Sequence, residues 1–378
     1  MCGIFGAVKL RGFFPAEEYA RFVALADKVA YRGPDDSGYL TFAVKDDPAE
    51  GSGAFDVFFG HRRLSIIDLS PAGHQPMRDG EDLCLIYNGE IFNYIELRED
   101  LKRKGHTFST QTDTEVILKL YREYGEEGFG MLNGMWAMAL LDIPQKKLVL
   151  SRDRFSMKPL YYTQAQDAFY FSSEIKQLLP LLPEKKMNQD TFFTFIRQGI
   201  SDHNEETFFS GIRRMKPMHN RVLRLATGAV EEKKYWDYSV PAGRIPEKDA
   251  LFQFRELFVD SVRIRLRSDV PVGALLSGGL DSSSISYIAH RFHEQDFSTF
   301  SVISKFRQYS EEKYIDLVCR GLNIPNRKIP FEVEDETTFR EDIRTALNYH
   351  DEPFGVFSVI AQFRNFEALR KKKEKPSS

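Results

Sequence analysis

Met1-Cys2-Gly3-Ile4-Phe5-Gly6 opens the chain, and its reading goes furthest toward deciding the fold. Loss of the initiator methionine would leave a thiol and a free α-amine on one residue. Amines of this kind titrate at roughly 7.7–8.0 and free thiols near 8.5, so a proton can pass between them at neutral pH. A terminal Ser, Thr or Cys activated by its own amine is one way of making a protein nucleophile. A cysteine at position two also serves simply as a small residue starting a strand, so the stretch has to be weighed with the rest of the chain.

The 378 residues exceed one typical domain, so two or three are expected, and a 42% hydrophobic content is ample for packed cores. A net charge of −3 argues against a nucleic-acid-binding surface covering the molecule. Cys2, Cys84 and Cys319 are odd in number and widely spaced. They form neither a disulfide framework nor a metal-ligand pair, which fits a reducing compartment. No apolar run reaches the roughly 18 residues that span a bilayer, and the start lacks the basic segment and apolar core of a secretion signal. A soluble, cytoplasmic protein with no membrane and no nucleic-acid partner is expected, and no resident metal site is read from the sequence.

The first half mixes strand-like runs with amphipathic helices. Tyr19, Phe22, Val23 and Ala26 recur at helical spacing within residues 16–30, and Tyr94, Leu97 and Leu101 share one face of a second helix. Thr112-Asp113-Thr114-Glu115 reads as a capping box that starts a third helix through Val116, Ile117 and Leu120. β-rich runs surround residues 53–60, 83–87, 134–142 and 147–150. They are not spaced as regular β-α-β units, which predicts a layered α+β domain. Between about 200 and 245 a scatter of Gly211, Pro217, Gly228, Pro241 and Gly243 reads as inter-domain chain. Beyond it a long helix over about 247–267 carries Leu251, Phe254, Phe258 and Val262 on one face. An apolar run at 270–276, a helix with Ile285, Ile288, Ala289 and Phe292, a strand at 297–303, a helix at 310–322 and a strand at 326–331 come next. That alternation predicts a parallel sheet covered by helices. Domain boundaries of 1–215, 216–245 (linker) and 246–378 are expected.

Four loops could carry chemistry. Ser277-Gly278-Gly279-Leu280-Asp281-Ser282-Ser283 joins a buried strand to a helix start, where unpaired N–H groups and the helix dipole favour an anion. Paired glycines let a phosphate approach the backbone, although no Walker Gly-Lys-Ser/Thr follows. Gly60-His61-Arg62-Arg63-Leu64-Ser65 ends a strand with two guanidinium groups, each able to pair bidentately with a carboxylate. In Tyr87-Asn88-Gly89-Glu90 the Asn side chain and the Gly N–H could donate to a developing oxyanion, while Asn-Gly is equally a hairpin signal. Asp113 could hold a substrate ammonium, or simply favour a first helical turn. A nucleophile, a carboxylate clamp, an oxyanion hole and an ammonium acceptor together describe a site that hydrolyses an amino-acid side-chain amide.

The N-terminal half resembles the class II glutamine amidotransferase domain, and the whole chain resembles the glutamine-hydrolysing asparagine synthetases. The matching stretches are MCGIFG (1–6), RGPDDSG (32–38), HRRLSIIDLSPAGHQPM (61–77), YNGEIFNY (87–94), TDTEVIL (112–118), LNGMWAMALLD (132–142), SRDRFSMKPLYY (151–162) and VPVGALLSGGLDSSSI (270–285). Cys2 separates the chain from the β-lactam-forming branch, which lacks a working nucleophile there.

The resemblance implies an α+β N-terminal-nucleophile domain, an αββα sandwich, followed by an α/β PP-loop nucleotide-binding domain. Cys2 would attack glutamine and release ammonia through a thioester, with Asn88 and Gly89 as the oxyanion hole. Arg63 and the backbone of Leu64, Ser65, Ile66 and Ile67 would hold the α-carboxylate end, and Glu90 and Asp113 the α-amine. Ser277, Gly278, Gly279, Asp281 and Ser282 would cradle the pyrophosphate of ATP with Mg²⁺, while Leu276 and Val302 contact adenine and ribose. Tunnelled ammonia would then displace AMP from an aspartyl adenylate. Glutamine, aspartate and ATP are the implied partners, and a homodimer is compatible with this reading. Another acceptor carboxylate, such as a polysaccharide precursor, and a glutaminase with an inactive nucleotide half are the alternatives. Family members continue well over a hundred residues further, so a C-terminally incomplete nucleotide domain is expected. The closing run from Arg370 to Ser378 reads as a solvated helix end.

Overall fold

The computed structural model describes residues 1–45, 52–239, 243, 245–293, 297–304, 310–331, 335–355 and 358–373; residues 374–378 of the basic closing run lie outside the described residues. The chain forms two compact units, Met1–Pro241 and Ala242–Ser378.

In the first unit the elements run β1 (Gly3–Lys9), α1 (Glu18–Asp27), β2 (Asp36–Phe42), β3 (Val57–Arg63), β4 (Met77–Asp79), β5 (Leu83–Ile91), α2 (Tyr94–Arg103) and α3 (Asp113–Tyr124). They continue as β6 (Gly134–Asp142), β7 (Lys147–Arg152), β8 (Tyr161–Ala165), β9 (Ala168–Ser172), α4 (Ile175–Leu178), α5 (Gln189–Gln198), β10 (Arg213–Arg214), β11 (His219–Arg224) and β12 (Val230–Lys234). The described strands make two six-stranded sheets, ordered β10-β8-β9-β1-β3-β2 and β12-β11-β7-β6-β5-β4. Their pairings are antiparallel throughout.

Successive side chains of a strand point to opposite faces, and here both faces are covered. Ile4 and Val8 of β1 and Val57 and Phe59 of β3 meet Cys84 and Ile86 of β5 and Ala137 and Ala139 of β6 between the sheets. Phe5, Ala7 and Phe58 point the other way, against Phe22, Leu25 and Ala26 of α1 and Ile175 and Leu178 of α4. Leu85, Tyr87, Trp136 and Met138 pack outward on Leu97 and Leu101 of α2 and Val116, Ile117 and Leu120 of α3. Four layers result: helix, sheet, sheet, helix. This double burial explains why the strands read as continuous apolar runs, without alternation of polar and apolar residues.

One local expectation is corrected and one alternative is excluded. Residues 219–234, expected inside a linker, form the β11–β12 hairpin, and β11 pairs with β7. Val222 and Leu223 are buried there, so Pro217 and Gly228 mark turns within the unit. Asn88-Gly89 does not form a hairpin turn; both residues lie inside β5, opposite Ala137 and Trp136.

The second unit runs α6 (Glu247–Ile264), β13 (Gly273–Leu275), α7 (Leu280–Phe292), β14 (Ser298–Ser304), α8 (Glu312–Leu322), β15 (Asn326–Phe331), α9 (Glu336–His350) and α10 (Ser358–Lys373). Strands β13, β14 and β15 form a parallel sheet in that order. Phe258 and Val262 of α6 pack with Ile288, Ala289, Phe297 and Ile324. Leu251 and Phe254, expected on the same apolar face, are exposed. No helix among the described residues is long and apolar enough to cross a membrane.

Candidate active site

The alternation that builds the inter-sheet core also builds the site. Counting back by twos from Val8 and Ile4 along β1 gives Cys2. Counting on from Val57 and Phe59 along β3 gives His61 and Arg63, and from Cys84 and Ile86 along β5 gives Asn88 and Glu90. Alternation directs all five side chains to the inner layer at one end, where the apolar filling gives way to a small cavity. The cavity measures about 60 Å³ and is lined in part by Met1, Cys2, Arg63, Leu64, Asn88, Gly89, Glu90, Asp113 and Lys158.

The Cys2 thiol is bracketed by Leu64, whose N–H donates to Sγ at 3.4 Å and whose carbonyl lies 3.7 Å from Sγ. Burial pushes the thiol pKa up, against the Leu64 hydrogen bond and the neighbouring cations Lys158 and Arg32, which lower it. The α-amine, here carried by Met1, is pushed down to about 6 by burial, with Arg32 and Lys158 acting in the same direction. An amine in this setting is a neutral base at pH 7.

The free edge of β5 forms the opposite wall. Strand β4 covers only Leu83–Leu85, so beyond Leu85 no described strand pairs with this edge. The Tyr87 N–H donates to Gln75 Oε1 at 2.7 Å, and the Ile91 N–H to Asp113 Oδ2 at 2.9 Å. By strand periodicity the intervening Gly89 N–H points the same way, into the cavity. Beside it the Asn88 side chain is 1% exposed, and neither its Nδ2 nor its Oδ1 has a hydrogen-bond partner among the described residues. A buried amide in this state costs about 1–3 kcal/mol per unsatisfied group unless something else binds it. His61 donates from Nε2 to the Tyr87 carbonyl at 3.0 Å, and burial holds its pKa down at about 3, so it is a neutral strut between the sheets.

Arg63 is turned inward and 6% exposed, whereas Arg62 turns outward to Asp27 and the Gly33 carbonyl. The Arg63 guanidinium donates to the carbonyls of Ser70 (3.0 Å), Ile67 (3.4 Å) and Asp68, and so fixes the loop that follows β3. Gly73 permits this: a Cβ there would lie 1.8 Å from an Arg63 nitrogen.

Asp113 is buried at the start of α3 and accepts from the Tyr87 hydroxyl at 3.0 Å as well as from Ile91. Burial raises its pKa, and burial followed by the Asp113 charge raises that of Glu90, which Lys158 lowers. The expected capping box is replaced: Thr112 Oγ1 accepts from the Thr114 N–H at 2.8 Å, while Glu115 accepts from the N–H groups of Ser109 and Thr110. The 109–111 loop folds back over the first turn and takes the carboxylate that a capping box would return to Thr112.

The cavity thus brings together Cys2, Arg63, Leu64, Ile66, Ile67, Asn88, Gly89, Glu90 and Asp113. Ser65 is not among its lining residues, and its N–H donates to Asp35 at 2.8 Å. Sequence reading passes over Gly73, Gln75, Thr112, Thr114 and Lys158, which also line it. Lys158 is 6% exposed; its isolation as one lysine among the apolar residues of 155–162 is the signal that could have found it.

In the second unit the turn after β13 places Ser277, Gly278 and Gly279 at the N-terminus of α7. Gly278 has φ +85°, and a Cβ there would meet Tyr314 at 3.0 Å and the Ile315 nitrogen at 3.2 Å. Ser277 and Ser282 hydroxyls are 3.0 Å apart, and Ser277 Oγ accepts from the Gly279 N–H at 3.3 Å. Leu276 is buried, tied to β14 through its N–H to the Phe300 carbonyl (2.8 Å) and its carbonyl to Ser301 Oγ (2.6 Å); Val302 is half-buried, and Asp281 is exposed. No group of three or more His, Cys, Asp or Glu among the described residues is arranged to hold a metal ion.

A four-layered αββα unit with a cysteine, an amine and a buried, unsatisfied amide at one end of the inter-sheet layer is the arrangement of the N-terminal-nucleophile amidotransferases as a class. Comparison with known proteins agrees. The glutamine amidotransferase domain family matches residues 1–236, and the asparagine synthase family matches residues 253–375. A protein of Methanocaldococcus jannaschii named "Putative asparagine synthetase (glutamine-hydrolyzing) 2" is 33% identical over 390 residues, spanning 98% of this chain and 72% of that protein. Asparagine synthetases (glutamine-hydrolyzing) 1 and 2 of Bacillus subtilis are each 34% identical, over 86% and 94% of this chain. The chain spans about half the length of these two relatives, 49% and 47%. The chain belongs to the glutamine-hydrolysing asparagine synthetase family.

Proposed function

We propose that this chain hydrolyses glutamine at Cys2 and supplies the ammonia to an ATP-dependent amidation of aspartate, forming asparagine, AMP and pyrophosphate. The observation that carries the reading is the Asn88 amide, without a hydrogen-bond partner among the described residues, beside Gly89 and lining the same cavity as the thiol. Once Met1 is removed, the Cys2 amine takes the thiol proton and the sulfur attacks the glutamine amide carbon. Asn88 Nδ2 and the Gly89 N–H then stabilise the oxyanion, and ammonia leaves with the amine's proton. Arg63 faces the substrate α-carboxylate, while Glu90 and Asp113 set a negative field for its ammonium. Water hydrolyses the thioester to glutamate.

In the second unit the Ser277–Gly279 turn and the α7 N-terminus would take the ATP pyrophosphate, with Leu276 and Val302 beside the nucleoside. Magnesium arriving with the nucleotide would find the Asp281 carboxylate, in keeping with its habit of using one or two carboxylates plus phosphate oxygens. Adenylation is chemically needed, because a carboxylate oxygen leaves poorly until AMP carries it away. A thiol nucleophile needs reducing surroundings, which supports a cytoplasmic setting. The partners in this reading are small molecules, with homodimerisation compatible.

The test supplies ATP, Mg²⁺, glutamine and aspartate and follows glutamate and pyrophosphate together. Release of both, in step and dependent on aspartate, is expected. Glutamate without pyrophosphate would reject the synthetase half of the reading, and neither product would reject it whole.

A further inference from the structure

Cys2 lies just before β1, outside the sheet ladder, yet the chemistry proposed for it depends on the relative placement of its thiol and its amine. Something must hold the residue still. Its carbonyl accepts from Arg32 Nε at 2.9 Å. That bond fixes the torsion between the Cys2 carbonyl and its Cα, and with it the direction in which amine and thiol leave the backbone.

Arg32 is in turn held by a buried carboxylate. Its Nη1 lies 2.8 Å from Glu174 Oε1, and the two side chains are 9% and 7% exposed. The second oxygen, Oε2, is shared by the Tyr31 hydroxyl and by Lys176 Nζ at 2.7 Å. Lys176 Nζ also donates to the Tyr31 hydroxyl at 2.8 Å. Glu174 itself is pinned by its backbone: Ser172 Oγ donates to its carbonyl at 2.7 Å, and its N–H donates to Gln177 Oε1 at 3.1 Å. A rigid path therefore runs from the β9–α4 junction through Glu174 and Arg32 to the Cys2 carbonyl. Glu174 is absent from the cavity lining and touches no reacting atom.

We propose that Glu174 is the positioning residue for the nucleophile, acting through Arg32 to fix the Cys2 backbone, with Tyr31 and Lys176 locking the carboxylate in place. The assignment rests on the proposed glutaminase reading for its kinetic consequences, but not for its effect on the thiol. A buried, hydrogen-bonded carboxylate–guanidinium pair is sensitive to loss of one partner, because the other is left buried and uncompensated. Loss of the carboxylate frees the Arg32 guanidinium to swing away and leaves Arg32 and Lys176 as neighbouring cations.

The experiment compares the parent chain with Glu174→Ala, Glu174→Gln and Glu174→Asp. Two readouts are taken: the rate of iodoacetamide labelling of Cys2, mapped on the N-terminal peptide by mass spectrometry, and steady-state glutamate release. Glu174→Ala should slow Cys2 labelling at pH 7.5 at least fivefold and lower kcat at least tenfold, with KM for glutamine within threefold. Glu174→Gln, which keeps the length and an acceptor oxygen for Arg32 but loses the charge and the second acceptor, should recover part of both. Glu174→Asp, too short to span Arg32 and Lys176, should not. Labelling within twofold of the parent in folded Glu174→Ala overturns the proposal, as does equal loss in the Gln and Ala variants. Parent chain that labels normally but releases no Cys2-dependent glutamate would sink the functional reading alone, since the labelling comparison still judges Glu174.

Discussion

Asn88 is a buried amide that no described residue hydrogen-bonds through its side chain, and its energetics separate function from stability. Truncation to alanine removes two partnerless polar atoms from the interior, so folding should lose at most about 1 kcal/mol of stability, because an unsatisfied buried group contributes nothing favourable. Catalysis should suffer far more: deleting one oxyanion donor costs about 10²–10³ in kcat. Asn88→Ala should therefore release glutamate at least a hundredfold more slowly with KM little changed, while its urea denaturation midpoint stays near that of the parent. Equal losses of stability and activity would show that the amide serves the core. The amine carries a second expectation at this scale. Burial, aided by Arg32 and Lys158, lowers the terminal amine to about 6. We expect the Cys2 amine exposed by Met1 removal to be depressed in the same direction, because Cys2 lines the same cavity as Met1. A base works only when unprotonated, so kcat/KM for glutamine should be flat above neutrality and fall about tenfold per pH unit below roughly 6. An acid limb near pH 8, where an unburied amine titrates, would refute this.

At the scale of elements, the loop after β3 is held by one side chain, and its tolerance can be calculated from one distance. Arg63 ties the carbonyls of Ile67, Asp68 and Ser70, and Gly73 lies against its guanidinium, leaving a Cβ only 1.8 Å from a nitrogen. Gly73→Ala must displace the guanidinium, and with it the proposed contact to the substrate α-carboxylate. KM for glutamine should rise at least tenfold while kcat changes less than threefold; an unchanged KM would remove Arg63 from substrate binding. The same loop shows why the site is only partly legible in sequence. Cys2, Arg63, Asn88 and Asp113 can be read because each belongs to a chemically loaded motif beside a strand or helix end. Gln75 cannot, because its role, accepting the Tyr87 N–H across 12 positions of chain, depends on where β4 stops covering β5. Lys158 is hidden for a related reason: its backbone is placed by Asp153, whose buried carboxylate accepts the N–H groups of Trp136, Phe155, Met157 and Lys158. The β11–β12 hairpin escapes notice because Glu231, Glu232, Lys233 and Lys234 on an edge strand look like linker chain until β11 is seen to pair with β7. The helices are easier, since α1, α2 and α3 each present a stripe to one sheet, a pattern local to the segment.

For the molecule as a whole, each unit owns its core and its candidate chemistry. The three apolar clusters of the first unit and the cluster around Phe258, Val262 and Ile288 in the second share no residue. The proposed nucleophile, Cys2, stands at the end of one core, and the Ser277–Ser282 turn belongs to the other unit. Substitutions that act locally should therefore dissociate the two reactions. Cys2→Ala removes the sulfur without disturbing β1, so glutamate release should vanish while pyrophosphate formation driven by ammonium salts stays within threefold of the parent. Asp281→Ala changes an exposed side chain in the first turn of α7, a position whose charge is worth at most about 1 kcal/mol to the helix. It should leave basal glutamate release within twofold but lower pyrophosphate formation at least tenfold, because the proposed magnesium–nucleotide complex would lose the Asp281 carboxylate. Measured side by side, the two variants should give opposite patterns from the same pair of assays. If Asp281→Ala abolishes glutamate release as well, the units do not keep their chemistry apart, and the glutaminase would have to depend on an occupied nucleotide turn.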